Sequence, residues 1–323
     1  MLFALLSGVA GAREPLAIII PDADNLQDLP LFVALGAGYF ADEGLDVTLK
    51  VSPTPAEVVD LLHGDAEQIA VLPPPVYLQL IADRFPLRIV ANLLQNDAIN
   101  LVVRRSLVGA RRLPVGGALG DRLRALAGVR LGVAPGPISR LRTLFRSQGL
   151  DVDTLATVVP LMGQEQNEAF AAGKVDALYA HTPYLERALV GQDAVLYVNQ
   201  SAGEVPALAG RMIHALVVTA PMARQRPALV RRVVHAIARA EALVHHDVAA
   251  TRAAIARALP QRAPALIERV VALYQPAVPA TPAVCAADLR AAVAFFPASK
   301  RAPDLTGVDF AAYVDDRFAG KRR

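Results

Sequence analysis

The chain has 323 residues, more than one hydrophobic core comfortably fills, so two lobes are expected. Hydrophobic residues make up 54% and charged residues 20%, a globular balance that excludes a disordered chain, and no apolar run approaches the ~20 residues that cross a bilayer. The net charge is +3, with arginine spread along the chain rather than gathered on one aromatic-rich face, which argues against a nucleic-acid partner.

Met1 is followed by a short apolar stretch, Leu2 to Val9, and by the small-x-small run Ala10-Gly11-Ala12. This is like the end of a secretory signal, so residues 1–12 are expected to be a signal remnant and the protein to be exported. The basic stretch that opens such signals is missing, which points to a trimmed chain or a start placed too late. Leu16 to Ile20 reads as a buried parallel strand. Pro30 to Gly44 reads as one helix stopped by Gly44. Within it, Gly36-Ala37-Gly38-Tyr39-Phe40-Ala41 matches G-x-G-x-x-A, but a dinucleotide fingerprint needs its first glycine directly after a strand. Close packing of the helix on a sheet explains these glycines better.

Val47 to Val51 reads as a strand, and Thr54-Pro55-Ala56-Glu57 as a capping box opening a helix to Gly64. Ile69–Leu72 is a strand, Pro73-Pro74-Pro75 a rigid loop, Val76 to Asp83 a helix, and Leu87 to Leu94 and Ile99 to Val103 two further strands. Arg104 to Gly120 reads as a basic surface connection. Strands follow at 129–133, 157–160, 176–180, 195–198 and 213–219, with helices at 138–148, 164–172 and 184–190 between them. After the last strand the pattern is helical, at 228–246, 249–258, 264–274, 286–295 and 310–318. Repeated βα units imply parallel sheets with helices on both faces. The segment around Gly44-Leu45-Asp46-Val47 is loosely echoed at Gly149-Leu150-Asp151-Val152, and Gly64-Asp65-Ala66 at Gly173-Lys174-Val175, as two similar α/β lobes would require.

Ligands of open α/β sheets sit beyond the carboxyl ends of the strands. That rule selects the loops 22–28, 73–77, 95–97, 135–140 and 181–184, and from them the candidate binding residues Asn25, Gln27, Pro74, Tyr77, Gln95, Asn96, Gly136, Ser139, Arg140, His181 and Tyr184. Ser139 and Arg140 stand at a helix start, where free N–H groups, the dipole and a guanidinium favour an anion; Ser139 as a cap and Arg140 as a surface residue is the plainer alternative. The amides of Asn25, Gln27, Gln95 and Asn96 suit an uncharged polar ligand, or serve turns. Tyr77 and Tyr184 offer rings to stack on, or core packing. Three successive prolines remove backbone donors and imply an apolar pocket floor. Cys285 is the single cysteine, so an intrachain disulfide and a multi-cysteine metal site are excluded. His245-His246-Asp247 reads as a solvated helix face rather than a metal site. No catalytic motif is present, and neither a catalytic residue nor a cofactor is expected.

Four segments in order carry a family resemblance: Leu29-Pro30-Leu31-Phe32-Val33-Ala34 with Gly38-Tyr39-Phe40 and Glu43-Gly44-Leu45-Asp46-Val47; Leu126 to Val133; Ala172-Gly173-Lys174-Val175-Asp176-Ala177; and Pro183-Tyr184. Together they resemble the nitrate/sulfonate/taurine-type solute-binding proteins of ABC transporters, a group that includes binders of thiamine pyrimidine precursors. The resemblance spans about residues 16–218. It implies the type II periplasmic-binding fold: two doubly wound α/β lobes, two hinge crossovers and a helical C-terminal tail. It places lobe 1 at 13–103 plus 214–323 and lobe 2 at 104–213, with crossovers near Val103-Arg104 and Arg211 to Ala215. It further implies a monomeric periplasmic protein without enzyme activity, capturing a sulfonate, carboxylate or pyrimidine-like solute and docking transiently on a permease. His181 and Thr182 depart from the family pattern, which often has an aromatic residue and a glutamate there, so that contact is not carried over. An enzyme on the same fold, pyrimidine synthase-like or chorismate dehydratase-like, and a sensing lobe for a signalling partner are the alternatives.

Overall fold

Short apolar runs become strands and the amphipathic segments between them become helices. The computed structural model describes residues 12–21, 26–52, 55–64, 69–191, 193–294 and 302–319. The signal-like segment before Ala12, Asn25 and the cap residue Thr54 lie outside them. The first third of the chain forms β1 (Glu14–Ile20), α1 (Leu29–Gly36), α2 (Tyr39–Asp42), β2 (Leu45–Val51), α3 (Pro55–Gly64), β3 (Ile69–Leu72), α4 (Pro74–Ala82) and β4 (Leu87–Gln95). The middle forms β5 (Asn100–Arg104), α5 (Arg105–Arg111), α6 (Leu119–Arg124), β6 (Arg130–Val133), α7 (Ile138–Arg146), α8 (Val152–Leu155), β7 (Thr157–Pro160), α9 (Glu165–Ala171), β8 (Ala177–Ala180), α10 (Tyr184–Gly191) and β9 (Ala194–Val198). The last third forms β10 (Met212–Thr219), α11 (Ala220–Gln225), α12 (Pro227–His246), α13 (Val248–Ala258), α14 (Pro264–Tyr274) and α15 (Ala286–Val293).

The strands make two five-stranded sheets, ordered β2-β1-β3-β10-β4 and β7-β6-β8-β5-β9. The expectation of purely parallel sheets is corrected at one strand in each. β10 runs antiparallel to β3 and β4, and β5 antiparallel to β8 and β9, whereas β1 and β6 pair parallel with both neighbours. In both sheets the reversed strand occupies the fourth place, and it is the strand on which the chain arrives from the other sheet. The two sheets are therefore arranged alike, as the sequence echo suggested. At Gly149 the echo is only partial: Gly44 (φ 70°) leads straight into β2, but Asp151 caps α8 and the strand starts six residues later, at Thr157.

The chain leaves the first sheet between Gln95 and Asn100, earlier than the expected Val103-Arg104, because β5 pairs in the second sheet. It returns between Val198 and Met212. The two crossings are fastened to each other. Asn100 Nδ2 donates to Ser201 Oγ (2.8 Å), Asn96 Nδ2 to the Ser201 carbonyl (2.9 Å), and the Gly210 amide to Asn96 Oδ1 (2.9 Å). Asn96 (φ 69°) and Asp97 (φ 46°) both take left-handed backbone, which turns the chain sharply there.

The helix expected over residues 30–44 is broken. Gly38 is left-handed (φ 79°) and separates α1 from α2. Gly36 packs against a helix and not against the sheet: a Cβ there would stand 1.8 Å from the Ala254 carbonyl oxygen of α13. Residues 104–120 hold α5, and Arg104 is half-buried, donating to the Phe170 carbonyl with its guanidinium 4.3 Å from the Phe170 ring. In place of the helix expected over 310–318 there is one 3-10 turn, Phe310–Tyr313, after which Val314 bridges to Ile89 of β4.

The apolar core follows the strand pattern. One face of the first sheet is covered by α1 and α12, with α13 packed over α1, and the other by α3, α4 and α15. The second sheet buries Leu131, Val133, Tyr179 and Tyr197 beneath Leu141, Leu144 and Phe145 of α7.

Candidate functional site

The carboxyl ends of β1, β3, β6 and β8 converge on one cleft. Pro21 follows β1, Pro73 follows β3, and His181 follows β8; Ile213 and His214 open the reversed strand β10 and so reach the same end. These residues line a cavity of about 270 Å³ together with Gln27, Pro74, Pro75, Ile99 and Arg140. The lining comes from both sheets and from the first crossing, so a molecule seated there touches both halves.

Of the sequence-selected residues, the structure brings Gln27, Pro74, Arg140 and His181 to this cavity. The Gln27 amide nitrogen donates to the Ala98 carbonyl, tying the loop before α1 to the first crossing. Arg140 Nη1 donates to Asp97 Oδ1 at 2.7 Å, and Asp97 is fully buried. His181 Nδ1 lies 2.7 Å from the Thr182 carbonyl, and its ring meets Tyr184 edge to face at 5.5 Å. Tyr184 thereby supports His181 from behind.

Other candidates have different surroundings. Asn96 spends its amide on Ser201, Pro276 and Gly210 across the crossings. Tyr77 is fully buried in the core, with its hydroxyl donating to the Met212 carbonyl at 3.3 Å, and burial pushes its pKa well up. Gln95 is half-buried at the end of β4, opposite Met212. Gly136 is exposed. Ser139 is not the cap of α7, because Pro137 holds that position; the serine carbonyl instead accepts from Thr143 Oγ1 at 3.0 Å.

Sequence reasoning missed two groups. His214 faces the cavity, and its Nδ1 lies 2.5 Å from Oδ1 of buried Asp28. A carboxylate at Nδ1 holds the proton on that nitrogen and orients the ring, leaving Nε2 as the nitrogen not committed to Asp28. Asp97 is the second group: Gln200 Nε2 donates to its carbonyl at 2.5 Å, and Tyr179 in turn donates to Gln200. The available signal was a histidine and two aspartates placed in otherwise apolar or turn-forming runs, where a buried polar residue needs a partner.

A larger hollow of about 570 Å³ lies on the outer face of α12, lined by residues such as Glu43, Arg232, His235 and Phe318. Its polar groups already serve one another: His235 Nδ1 is 2.7 Å from Glu43 Oε1, and Arg232 Nη1 donates to the Glu43 carbonyl. It takes nothing from the second sheet and lies away from the strand ends, so the cleft is the candidate site. Among the described residues no group of three or more His, Cys, Asp or Glu side chains could hold a metal ion; Asp247 of the His245-His246-Asp247 run caps α13. Cys285 stands at the start of α15, outside the cleft lining.

Two similar five-stranded sheets, joined by two clasped crossings and sharing a cleft at their strand ends, define a type II periplasmic-binding fold. The chain belongs to the NMT1-like family, whose model matches residues 13–260. No curated protein matches it. Solved structures with the same fold include the periplasmic aliphatic sulphonate binding protein SsuA from Escherichia coli, at 17% identity, a TM-score of 0.66, and 96% and 94% of the two chains covered. The alkanesulfonate-binding protein SsuA from Xanthomonas axonopodis pv. citri, bound to MOPS, matches at 19% identity and a TM-score of 0.63, covering 94% and 99%. The desulfurization enzyme DSZB matches at 19% identity and a TM-score of 0.64, covering 95% and 97%. At these identities the likeness is one of fold.

Proposed function

We propose that the protein is the solute-binding component of an ABC importer, working in the periplasm and holding a small organic solute in the cleft between its two sheets. The observation that carries this reading is the cavity itself: about 270 Å³, at the strand ends of both sheets and lined from both. That size suits a small solute, since sites for drug-sized molecules run from roughly 300 Å³ upward. The two crossings are the hinges. A solute that touches both halves favours the closed arrangement by its contacts with each, and closure presents a joint surface for a permease. In this assignment Gln27, Arg140, His181 and His214 supply the polar contacts, Pro73 to Pro75 the apolar floor, and Tyr184 the support for His181. The binding proteins that share the fold support the reading, as does family membership.

An enzyme that shares the fold keeps a second reading open, and the oriented His214–Asp28 pair is the feature that favours it. One experiment separates the two. The purified protein is examined by native mass spectrometry, then by thermal shift against sulfonates, carboxylates and pyrimidines, with each stabilising compound followed over time for conversion. A bound or stabilising compound that is recovered unchanged is expected. Conversion of the compound would replace the importer reading with an enzyme, and no ligand across the panel would overturn the cleft assignment.

A further inference from the structure

The cleft holds one guanidinium and two imidazoles, and the two best placed of these groups each face a buried carboxylate. Among the described residues, the ionisable groups lining the cavity are Arg140, His181 and His214. Arg140 is held by Asp97 at 2.7 Å, and His214 by Asp28 at 2.5 Å; both carboxylates are buried, at 0% and 1% exposure, so water does little to weaken their fields.

The backbone repeats this economy of positive charge. The amino end of a helix ordinarily holds an anion through its free N–H groups and its dipole. Two of the helices that begin near the cavity, α4 and α7, contribute residues of their own first turn to its lining. α4 has Pro73 as its cap and Pro74 and Pro75 as its first two residues, three positions without an N–H. Its next amides, Val76 and Tyr77, both donate back to the Pro73 carbonyl. α7 is capped by Pro137, and its Ile138, Arg140 and Leu141 amides are spent on the carbonyls of Pro135 and Pro137.

From these two independent observations we propose that Asp97 and Asp28 are the specificity-determining residues of the cleft: they act as built-in anions beside Arg140 and His214, and with the proline-capped helix ends they make the site take an uncharged hydrogen-bonding solute and refuse an anion such as a sulfonate. This rests on the solute-binding reading. A sulfonate beside Arg140 would meet the field of Asp97 within a few ångströms, and one beside His214 that of Asp28. Such like-charge juxtaposition is how binding sites exclude wrong partners. A neutral solute meets no such repulsion, and His214 Nε2, the ring nitrogen not committed to Asp28, can hydrogen-bond to it.

The test is isothermal titration calorimetry on the full chain with hexanesulfonate and benzoate as anionic probes and nicotinamide as an uncharged ring, for the wild type, Asp97→Asn and Asp28→Asn. The wild type is expected to bind the anions no tighter than the millimolar range. Each Asn variant, freed of one built-in anion, is expected to bind the anions roughly tenfold tighter or more while its nicotinamide affinity does not rise in parallel. Micromolar anion binding by the wild type overturns the inference and leaves the solute-binding reading standing, and that result needs no variant to fold. Folded Asn variants with no gain for anions overturn it as well. A wild type that takes no solute of any charge, by titration or by native mass spectrometry, overturns both.

Discussion

Glu186 offers a direct measurement of what burial does to a carboxyl in this fold. It lies on α10, fully buried against the C-terminal helices, and neither of its oxygens completes a hydrogen bond of standard geometry. Burial pushes its pKa up to about 7, opposed in part by its own backbone amide, Thr182, Tyr274 and Arg187. In the unfolded chain the same group titrates near the ordinary 4.5. The folded state therefore holds a proton that the unfolded state gives up. The stability that this proton contributes is complete below pH ~4.5, falls as pH rises toward ~7, and is flat above that. The distance between about 7 and 4.5 corresponds to roughly 3 kcal/mol. Glu186→Gln removes the titration and leaves the shape. The stability difference between variant and wild type should then move by about 3 kcal/mol in favour of the variant between pH 4.5 and pH 8, or roughly 4 °C in Tm for a chain of this size. Comparing the change with pH cancels the constant cost of burying an amide and the titration of every other group. Urea unfolding of both proteins at pH 4.5, 6 and 8 reads it out. A difference that stays constant within about 0.5 kcal/mol would show that Glu186 is ionised in the folded protein and that the burial argument is wrong.

Three further expectations are open to simple stability measurements. Gly36→Ala should lower stability by about 2–3 kcal/mol, because its Cβ would collide with the Ala254 carbonyl; Gly38→Ala, which meets only open space at φ 79°, should cost about 1 kcal/mol. Equal losses in a denaturant series would contradict that account of the α1–α13 contact. Arg122 is buried and donates to the Tyr197 carbonyl (2.6 Å) and to Glu204, so Arg122→Ala should cost about 3–5 kcal/mol, and a loss under 1 kcal/mol would mean that the pair is not closed in solution. Arg140→Ala strands the buried Asp97 carboxylate and should lower both Tm and ligand stabilisation, whereas Arg140→Ala with Asp97→Asn should recover most of the Tm.

Strand positions were largely legible because apolar runs bounded by Gly and Pro state them: Ile69–Leu72 and Thr157–Pro160 fall where expected, as does the helix Pro264–Tyr274. Strand direction was not legible, because an apolar run reads the same for either neighbour orientation. Hence β5 was assigned to the wrong sheet and the reversed strands went unseen. The break at Gly38 was hidden because the apolar residues Leu31, Val33, Leu35, Tyr39 and Phe40 run on across it. In the site, loops after strands led to Gln27, Pro74, Arg140 and His181. His214 was lost within the run 213–219, which reads as core, and its partner Asp28 lies 186 residues away. Pairings of that sequence separation leave no local trace.

The interleaving of the two halves has a consequence for the order of assembly. Among the described residues β4 pairs with one strand, β10, and bridges otherwise to Val314, so it stays unpaired until residues 212–219 have been made. The second sheet draws all five of its strands from residues 100–198, one uninterrupted stretch. The half that comes later in the chain can therefore close first, and the half that begins the chain must wait for its last strand. In the proposed periplasmic role, where the chain crosses a membrane before it folds, such a delay at the leading end would keep it open for passage.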